Sequence, residues 1–352
     1  MKYTLVSLNG ADDSGGVERV TFYLKKILEK QGDVVLLTRT KLQIRKLDLV
    51  WQPFLIALRL FLFHRRSLVI ANDWNSWFYP ADLSIHHGTT AGVMERIPGE
   101  KRLGSRLIAM MERSSAKASK RILAVSESAK ADLRRFYGID SGKITVLHNF
   151  VDERIFFPKP IVVPPPSTIR IIFCGRLEVR KGVDVLKRLS DHIETLAGSD
   201  WDGAFSLCIA SNSKENADLF QGNTHTVIRT GLRLADMREF YTGGDVLFFP
   251  SRYEGFSMST LEALACGIPV VGTAEAIKDD LAAYDFTRIV DIDAPMDAVL
   301  QNITAVVRTW HDRADEIHRT IARDFGCAQY EARVLALLKE TNTDFADSIP
   351  QK

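Results

Sequence analysis

Short apolar, β-branched runs alternate with longer stretches of helical hydrophobic period along nearly the whole chain. This is the pattern of parallel strands whose two faces are covered by helices. In the first half, strands are predicted at 4–8, 34–38, 68–71, 83–86, 122–125 and 144–147, with helices over 16–30, 103–118 and 128–137. The pattern breaks at 158–167 (PKPIVVPPPS), where five of the chain's 12 prolines fall within nine residues, so a stiff linker is expected there. A second series of strands follows at 170–174, 205–210, 226–229, 246–249, 269–272 and 287–290. From Asp297 the period is helical, and a polar tail begins near Thr341. The expected class is α/β: a domain over 1–157, a linker over 158–167, a second domain over 168–330, and a C-terminal helix and tail over 331–352.

Composition agrees with a globular two-domain chain. The length of 352 residues exceeds what one core ordinarily reaches, and 46% hydrophobic with 26% charged residues excludes a disordered or fibrous class. Cys174, Cys208, Cys266 and Cys327 are scattered, with no C-x-x-C pair, so reduced cysteines without a zinc site are expected. The start, MKYTLVSLNG, reads as a first strand rather than a signal peptide, which predicts a cytoplasmic protein. The most apolar window, Leu47 to Phe63, contains Pro53 and Arg59 and is shorter than the roughly 20 residues that span a bilayer. Charge changes the picture more. Residues 1–150 hold 24 lysines and arginines against 14 acids, whereas residues 151–352 hold 22 against 30. A net charge of only +2 argues against nucleic acid, yet the first half is suited to an anionic partner.

The chemistry is expected at the carboxyl ends of the strands, where parallel sheets bind ligands. The first strand leads into NGADDSGGVERV, in which Gly15 and Gly16 open a helix whose free N–H groups can approach a phosphate or sugar; the same pair is also ordinary turn chemistry. The second domain opens with RIIFCGRLEVRKGVDVL. Arg176 and Lys181, expected to be exposed, can neutralise a diphosphate from two sides, and cations at a helix start oppose its dipole unless an anion lies between them. The segment VLFFPSRYEGFSMSTLEALACGIPVVGT is the most informative. Glu254 sits on a loop and Glu262 eight residues on, within a helix, so one carboxylate suits sugar hydroxyls and the other ribose hydroxyls, with the helix start left for phosphate.

On GGVERV, SIHHGT, AVSESAKADL, ITVLHNFVD, CGRLEVRKG and the E-x7-E block, the chain resembles the retaining glycosyltransferases of family 4. The resemblance extends to bacterial envelope polysaccharide and lipopolysaccharide enzymes. It implies the GT-B fold, two Rossmann-like domains facing a central cleft, and a nucleotide-diphosphate sugar as donor, with a UDP-sugar favoured and no metal or other cofactor. It also implies that Arg176 and Lys181 hold the diphosphate, that Glu262 holds the ribose, and that Glu254 with Gly255, Phe256 and Ser257 holds the transferred sugar. Gly16 would lie near the donor phosphate, and His87 would contact the sugar near the reacting carbon. The adjacent His86 leaves open which of the two histidines is directed at the ligand, since neighbours on a strand point to opposite faces.

The expected reaction is displacement of a nucleotide diphosphate from an anomeric carbon, its developing charge met by Arg176, Lys181 and a helix start. The acceptor is expected to be a glycan or a lipid-linked glycan. Two segments mix cations with apolar residues, Leu47 to Phe63 with its flanking Arg45, Lys46, Arg65 and Arg66, and Arg96 to Arg121. Both suit an anionic membrane surface, so peripheral binding to the inner membrane is expected; core helices with solvated faces would read alike. A sugar-nucleotide epimerase of the same fold and a catalytically silent nucleotide-sugar-binding subunit are the alternatives. Asp291 and Asp293 form a D-x-D triplet, and Asp12 and Asp13 a pair, both read as turn or cap residues rather than metal ligands.

Overall fold

The computed structural model describes residues 1–11, 15–39, 48–64, 66–97, 99–160, 167–196, 198–199, 201, 203–213 and 215–348. Asp12, Asp13, Arg45, Lys46, Arg65 and the middle of the proline-rich stretch lie outside the described residues. The chain forms two compact units, one of Met1–Asn149 with Ala328–Lys352, the other of Phe150–Cys327.

The first unit contains β1 (Lys2–Val6), α1 (Gly16–Glu29), β2 (Asp33–Leu37), α2 (Asp48–Phe63), β3 (Leu68–Asn72), β4 (Leu83–His86), α3 (Thr90–Arg96), α4 (Leu103–Ala118), β5 (Arg121–Ala124), α5 (Glu127–Tyr137) and β6 (Ile144–Val146). Its six strands pair in parallel in the order β2-β1-β3-β4-β5-β6. β3 and β4 are buried along their whole length, as expected of strands covered on both faces. Helix α2 runs through Pro53 and packs Ile56, Ala57 and Leu60 onto a core that includes Val6, Leu37 and Val69.

The second unit contains β7 (Ile169–Cys174), α6 (Val183–Thr195), β8 (Phe205–Ala210), β9 (Thr226–Arg229), α7 (Leu234–Thr242), β10 (Val246–Phe249), α8 (Met258–Ala265), β11 (Val270–Gly272), β12 (Thr287–Ile289), α9 (Met296–Trp310) and α10 (Ala314–Phe325). Its strands are again parallel, ordered β12-β11-β10-β7-β8-β9. In each sheet the order reverses once, between β1 and β3 in the first and between β7 and β10 in the second. At such a reversal the loops leaving neighbouring strands splay apart and open a crevice at their carboxyl ends.

The last helix, α11 (Cys327–Ser348), belongs to the first unit from Ala328 on. Its Tyr330, Val334 and Leu338 are buried, and Glu331 and Glu340 pair with Lys30 (2.6 Å) and Arg121 (3.0 Å). The chain therefore passes between units at 149/150 and at 327/328, not at the proline-rich stretch. Beside these passages Val151 bridges Gly326 and donates to the Phe325 carbonyl (2.9 Å), while Glu153 accepts the Cys327 N–H (2.9 Å).

Candidate functional site

In the second unit the loops after β7 and β10 flank the point of strand reversal, and they carry the predicted residues. After β7 the chain makes a short 3-10 turn, Val179–Lys181, and leaves it through Gly182 at φ +79°. A side chain there is excluded twice, by the positive φ and by the Pro250 carbonyl oxygen, which lies 2.1 Å from where a Cβ would be. This close approach seats Lys181 against the loop after β10. Lys181 Nζ lies 2.6 Å from Glu254 Oε1 and 5.0 Å from the centre of the Phe249 ring. Lys181 is thus not exposed as expected: its side chain keeps only 15% of its accessible surface. Arg176 does remain exposed, at 66%, and its nearest carboxylate is Glu178 at 3.5 Å.

Glu254 is buried with a dense set of partners. Ser251 Oγ donates to Oε1 (2.6 Å), and Arg180 stands 3.9 Å from the same oxygen. Among the described residues Oε2 has no partner. Burial alone raises the carboxyl pKa, but Lys181, Arg180 and the Ser251 hydrogen bond outweigh it and hold Glu254 below its ordinary value, hence ionised. The main chain is fixed as well, since the buried Lys278 donates to the Glu254 carbonyl and pairs with Glu275 at 2.9 Å.

Glu262 lies inside α8, 4% exposed, where it accepts a hydrogen bond from the buried Tyr241 hydroxyl (2.9 Å). The Cys174 thiol near them is pushed up to about 11 by burial and by Glu262, so it is an uncharged neighbour and not a nucleophile. Ser257 caps α8 by accepting the Thr260 N–H (3.2 Å), and Phe256 is buried against Phe325. Gly255, between Glu254 and Phe256, is partly accessible. The sequence did not point to Arg180, Tyr241, Ser251 or Lys278. Tyr241 and Lys278 come from elsewhere in the chain and carry no motif, whereas Ser251 stands in a loop that the sequence did single out.

In the first unit Gly16 opens α1, with Gly15 as an extended cap that has no side chain to offer. His86 ends β4 fully buried, with neither ring nitrogen bonded among the described residues, and burial pushes its pKa down to about 3. His87 is the more accessible of the two. Its N–H is donated to Asp73 Oδ1 (3.0 Å), and its Nε2 lies 3.4 Å from Asn72 Oδ1. Burial lowers the His87 pKa to about 4 despite the opposing charge of Glu18, so the ring is neutral at pH 7. Asp73, at φ +45°, is pushed up to about 7 by burial. Asn72 ends β3 and Asp73 follows it, beside the strand reversal, a position that could have singled them out in the sequence.

Asp291 accepts the Asp293 N–H (2.8 Å), closing a turn. The one cluster of potential metal ligands among the described residues is Asp152, Glu153 and Cys327. Asp152 is already engaged by Nε and Nη2 of the Arg154 guanidinium and Glu153 by the Cys327 N–H.

Residues 14–154 match the model of Glycosyltransferase Family 4, and residues 168–304 that of Glycosyl transferases group 1. An uncharacterised glycosyltransferase of Methanocaldococcus jannaschii is 25% identical over 69% of this chain and 67% of its own. A D-inositol 3-phosphate glycosyltransferase of Kineococcus radiotolerans is 28% identical over 48% of this chain, which spans less than half (44%) of that relative. Among solved structures, sucrose-phosphate synthase of Thermosynechococcus elongatus superposes with a TM-score of 0.75 at 16% identity, covering 97% of this chain and 99% of that one. WaaG, a glycosyltransferase involved in lipopolysaccharide biosynthesis, gives 0.73 at 14% identity over 94% and 98%. The two matched segments, the two six-stranded parallel sheets and these likenesses make the chain a family 4-like glycosyltransferase with the α/β GT-B fold.

Proposed function

We propose that the chain transfers a hexose-type sugar from a nucleotide-diphosphate sugar, with retention at the anomeric carbon, to a glycan or lipid-linked acceptor of the bacterial cell envelope. The observation that carries this is the loop pair after β7 and β10. An ionised, buried Glu254 keeps one carboxylate oxygen free for a sugar hydroxyl, while Lys181 and the exposed Arg176 stand on the neighbouring loop for a diphosphate. Arg176 and Lys181 meet the charge that develops on the leaving phosphate, Glu262 takes the ribose hydroxyls, and the backbone from Gly255 to Ser257 borders the sugar. His87 contacts the sugar near the reacting carbon, and Gly16 lies near the donor phosphate. A protein nucleophile is not required if departure and attack share one face and the leaving phosphate takes the acceptor's proton.

A UDP-sugar is the favoured donor; the structural likeness to HepE of Anabaena in complex with UDP and glucose (TM-score 0.68, 13% identity) fits that reading. The test is thermal-shift screening against UDP-, GDP-, ADP- and CMP-sugars, followed by transfer with the donor that raises the melting temperature, since a ligand of the folded state alone stabilises it. Product of retained configuration, formed equally fast with EDTA present, is expected. Epimerised donor without transfer would establish the epimerase alternative, and binding without any turnover the silent one. Activity lost to EDTA and restored by Mg²⁺ or Mn²⁺ would overturn the metal-free mechanism.

Peripheral contact with an anionic inner-membrane surface is part of the proposal. No helix among the described residues is long and apolar enough to cross a membrane. However, α2 leaves Leu58, Leu62 and Phe63 exposed, the last at 76%, and α4 exposes Leu103 (84%) and Met110 beside Arg102, Arg106, Arg113 and Lys117. Apolar side chains interleaved with cations suit the headgroup boundary, at about 1 kcal/mol per cation. Binding to vesicles is expected to rise with anionic lipid content and to fall as salt shortens the screening length below about 10 Å. Replacing Lys101, Arg102, Arg106 and Arg113 with glutamate is expected to abolish co-sedimentation while sparing donor hydrolysis. Undiminished co-sedimentation of that variant at moderate salt would reduce these cations to a solvated surface.

A further inference from the structure

His87 is held by a buried chain of polar groups whose proton directions are all determined. The Thr21 hydroxyl donates to the Val17 carbonyl of its own helix (2.8 Å). Its oxygen is therefore an acceptor toward Asn72, whose Nδ2 donates to it at 2.7 Å. Both side chains are buried, Thr21 at 0% and Asn72 at 1% exposure, so no water stands in for a missing partner. With Nδ2 committed to Thr21, the atom that Asn72 turns to His87 Nε2 at 3.4 Å is Oδ1, which only accepts. A flipped amide would set its carbonyl oxygen against the Thr21 oxygen. Relieving that would require Thr21 to abandon Val17, leaving two acceptor oxygens 2.8 Å apart with no proton between them and one hydrogen bond fewer.

We infer that Asn72, locked by Thr21, keeps the proton of His87 on Nε2, so that the ring meets its ligand through Nδ1 as a neutral hydrogen-bond acceptor. Among the described residues the hydrogen bonds of His87 run through its main-chain N–H and Nε2, not through Nδ1. The inference rests on the reading of His87 as the sugar contact and deepens it. Nδ1 takes a hydroxyl proton and disfavours a carboxylate, so the donor class that fits carries a free hydroxyl, not a carboxylate, at the position facing His87. Asn72 and Thr21 are positioning residues, acting on the sugar through the ring.

The test is a two-bond ¹H–¹⁵N correlation spectrum of the whole protein labelled at histidine, at pH 7 and without ligand, with the His87 pattern assigned by its loss in His87→Phe. A single neutral ring protonated on Nε2 is expected. Asn72→Leu should move it toward a mixture of tautomers. Thr21→Val, which removes the lock while leaving the amide, should do the same to a smaller extent. A wild-type ring protonated on Nδ1, or a pattern that neither Asn72→Leu nor Thr21→Val alters, would overturn the inference even if one variant folds poorly. Transfer by His87→Phe at the wild-type rate would instead overturn the sugar contact while the tautomer assignment stands, so the two failures are distinguishable.

Discussion

Lys181→Met is expected to lower turnover about 100- to 1,000-fold, the usual consequence of removing one group that stabilises transition-state charge. Unlike a surface lysine, it should also cost stability, about 3 kcal/mol, because it strands a buried carboxylate. Glu254 retains Ser251 and a distant Arg180, which is why the expected cost lies at the low end for a broken buried pair. The pH dependence identifies the cause. In the wild type the Glu254 pKa is depressed, so its contribution is present at neutral pH and is lost as pH falls through that depressed value, below the ordinary 4.5. Without Lys181, burial dominates and the carboxyl pKa rises. The variant therefore loses stability as pH rises through that higher value, and its deficit is widest near pH 7 and narrowest below about pH 4. Urea denaturation at pH 7 and pH 4 reads this directly, and a deficit that does not narrow in acid would show that Glu254 is not the stranded partner. Arg176→Ala is the contrasting case: being exposed, it should lose turnover with stability unchanged. If both variants turn over at the wild-type rate, neither cation serves the diphosphate.

The contrast between Lys181 and Arg176 marks how far the sequence could be read. Both cations stand five residues apart after one strand, and both were expected to be exposed. What separates them is the partner of each, and Glu254 lies 73 residues beyond Lys181, so its contact with Lys181 follows from β7 and β10 being neighbours, an order that strand periodicity does not encode. Strand positions were legible because a strand buried on both faces reads as a continuous apolar run, as LVIA of β3 and VLFF of β10 do. The ends of the domains were less so. Prolines at 158–166 mark stiffness, whereas the passages between units lie at 149/150 and 327/328, where the backbone at Val151 is paired to Gly326 with no compositional signal. Leu47 to Phe63 illustrates a different limit. Its apolar residues serve both readings at once, with Ile56, Ala57 and Leu60 in the core and Leu58, Leu62 and Phe63 in solvent, because a helix that is apolar on most sides does not declare which side is covered. At the site, the E-x7-E block announced Glu254 and Glu262, but their supports Tyr241 and Lys278 read as ordinary helix and loop residues.

Gly182→Ala is expected to be as damaging as the loss of a catalytic side chain, although Gly182 has no chemistry to contribute. At φ +79° an L-residue costs roughly 1–2 kcal/mol, and a Cβ placed 2.1 Å from the Pro250 carbonyl oxygen adds about 1–3 kcal/mol of overpacking. The oxygen cannot simply retreat. Pro250 is followed by Ser251, whose hydroxyl is bonded to Glu254 and whose carbonyl accepts from the buried Thr273 hydroxyl. Relief must come from separating the two loops, and that separation is what would part Lys181 from Glu254, now 2.6 Å apart. The unfolding free energy should fall by about 2–5 kcal/mol, and the folded fraction, assayed in the cold, should turn over at least about 10-fold more slowly, since reacting groups displaced by about 1 Å lose that much or more. Gly182→Asn separates the two causes. Asparagine tolerates the left-handed conformation better than alanine but brings the same Cβ, so a clash-dominated site should tolerate it little better. An alanine variant within about 0.5 kcal/mol of wild type, the range of an ordinary surface substitution, would mean that the two loops are not held at this distance and that the site is looser than the Lys181–Glu254 contact implies.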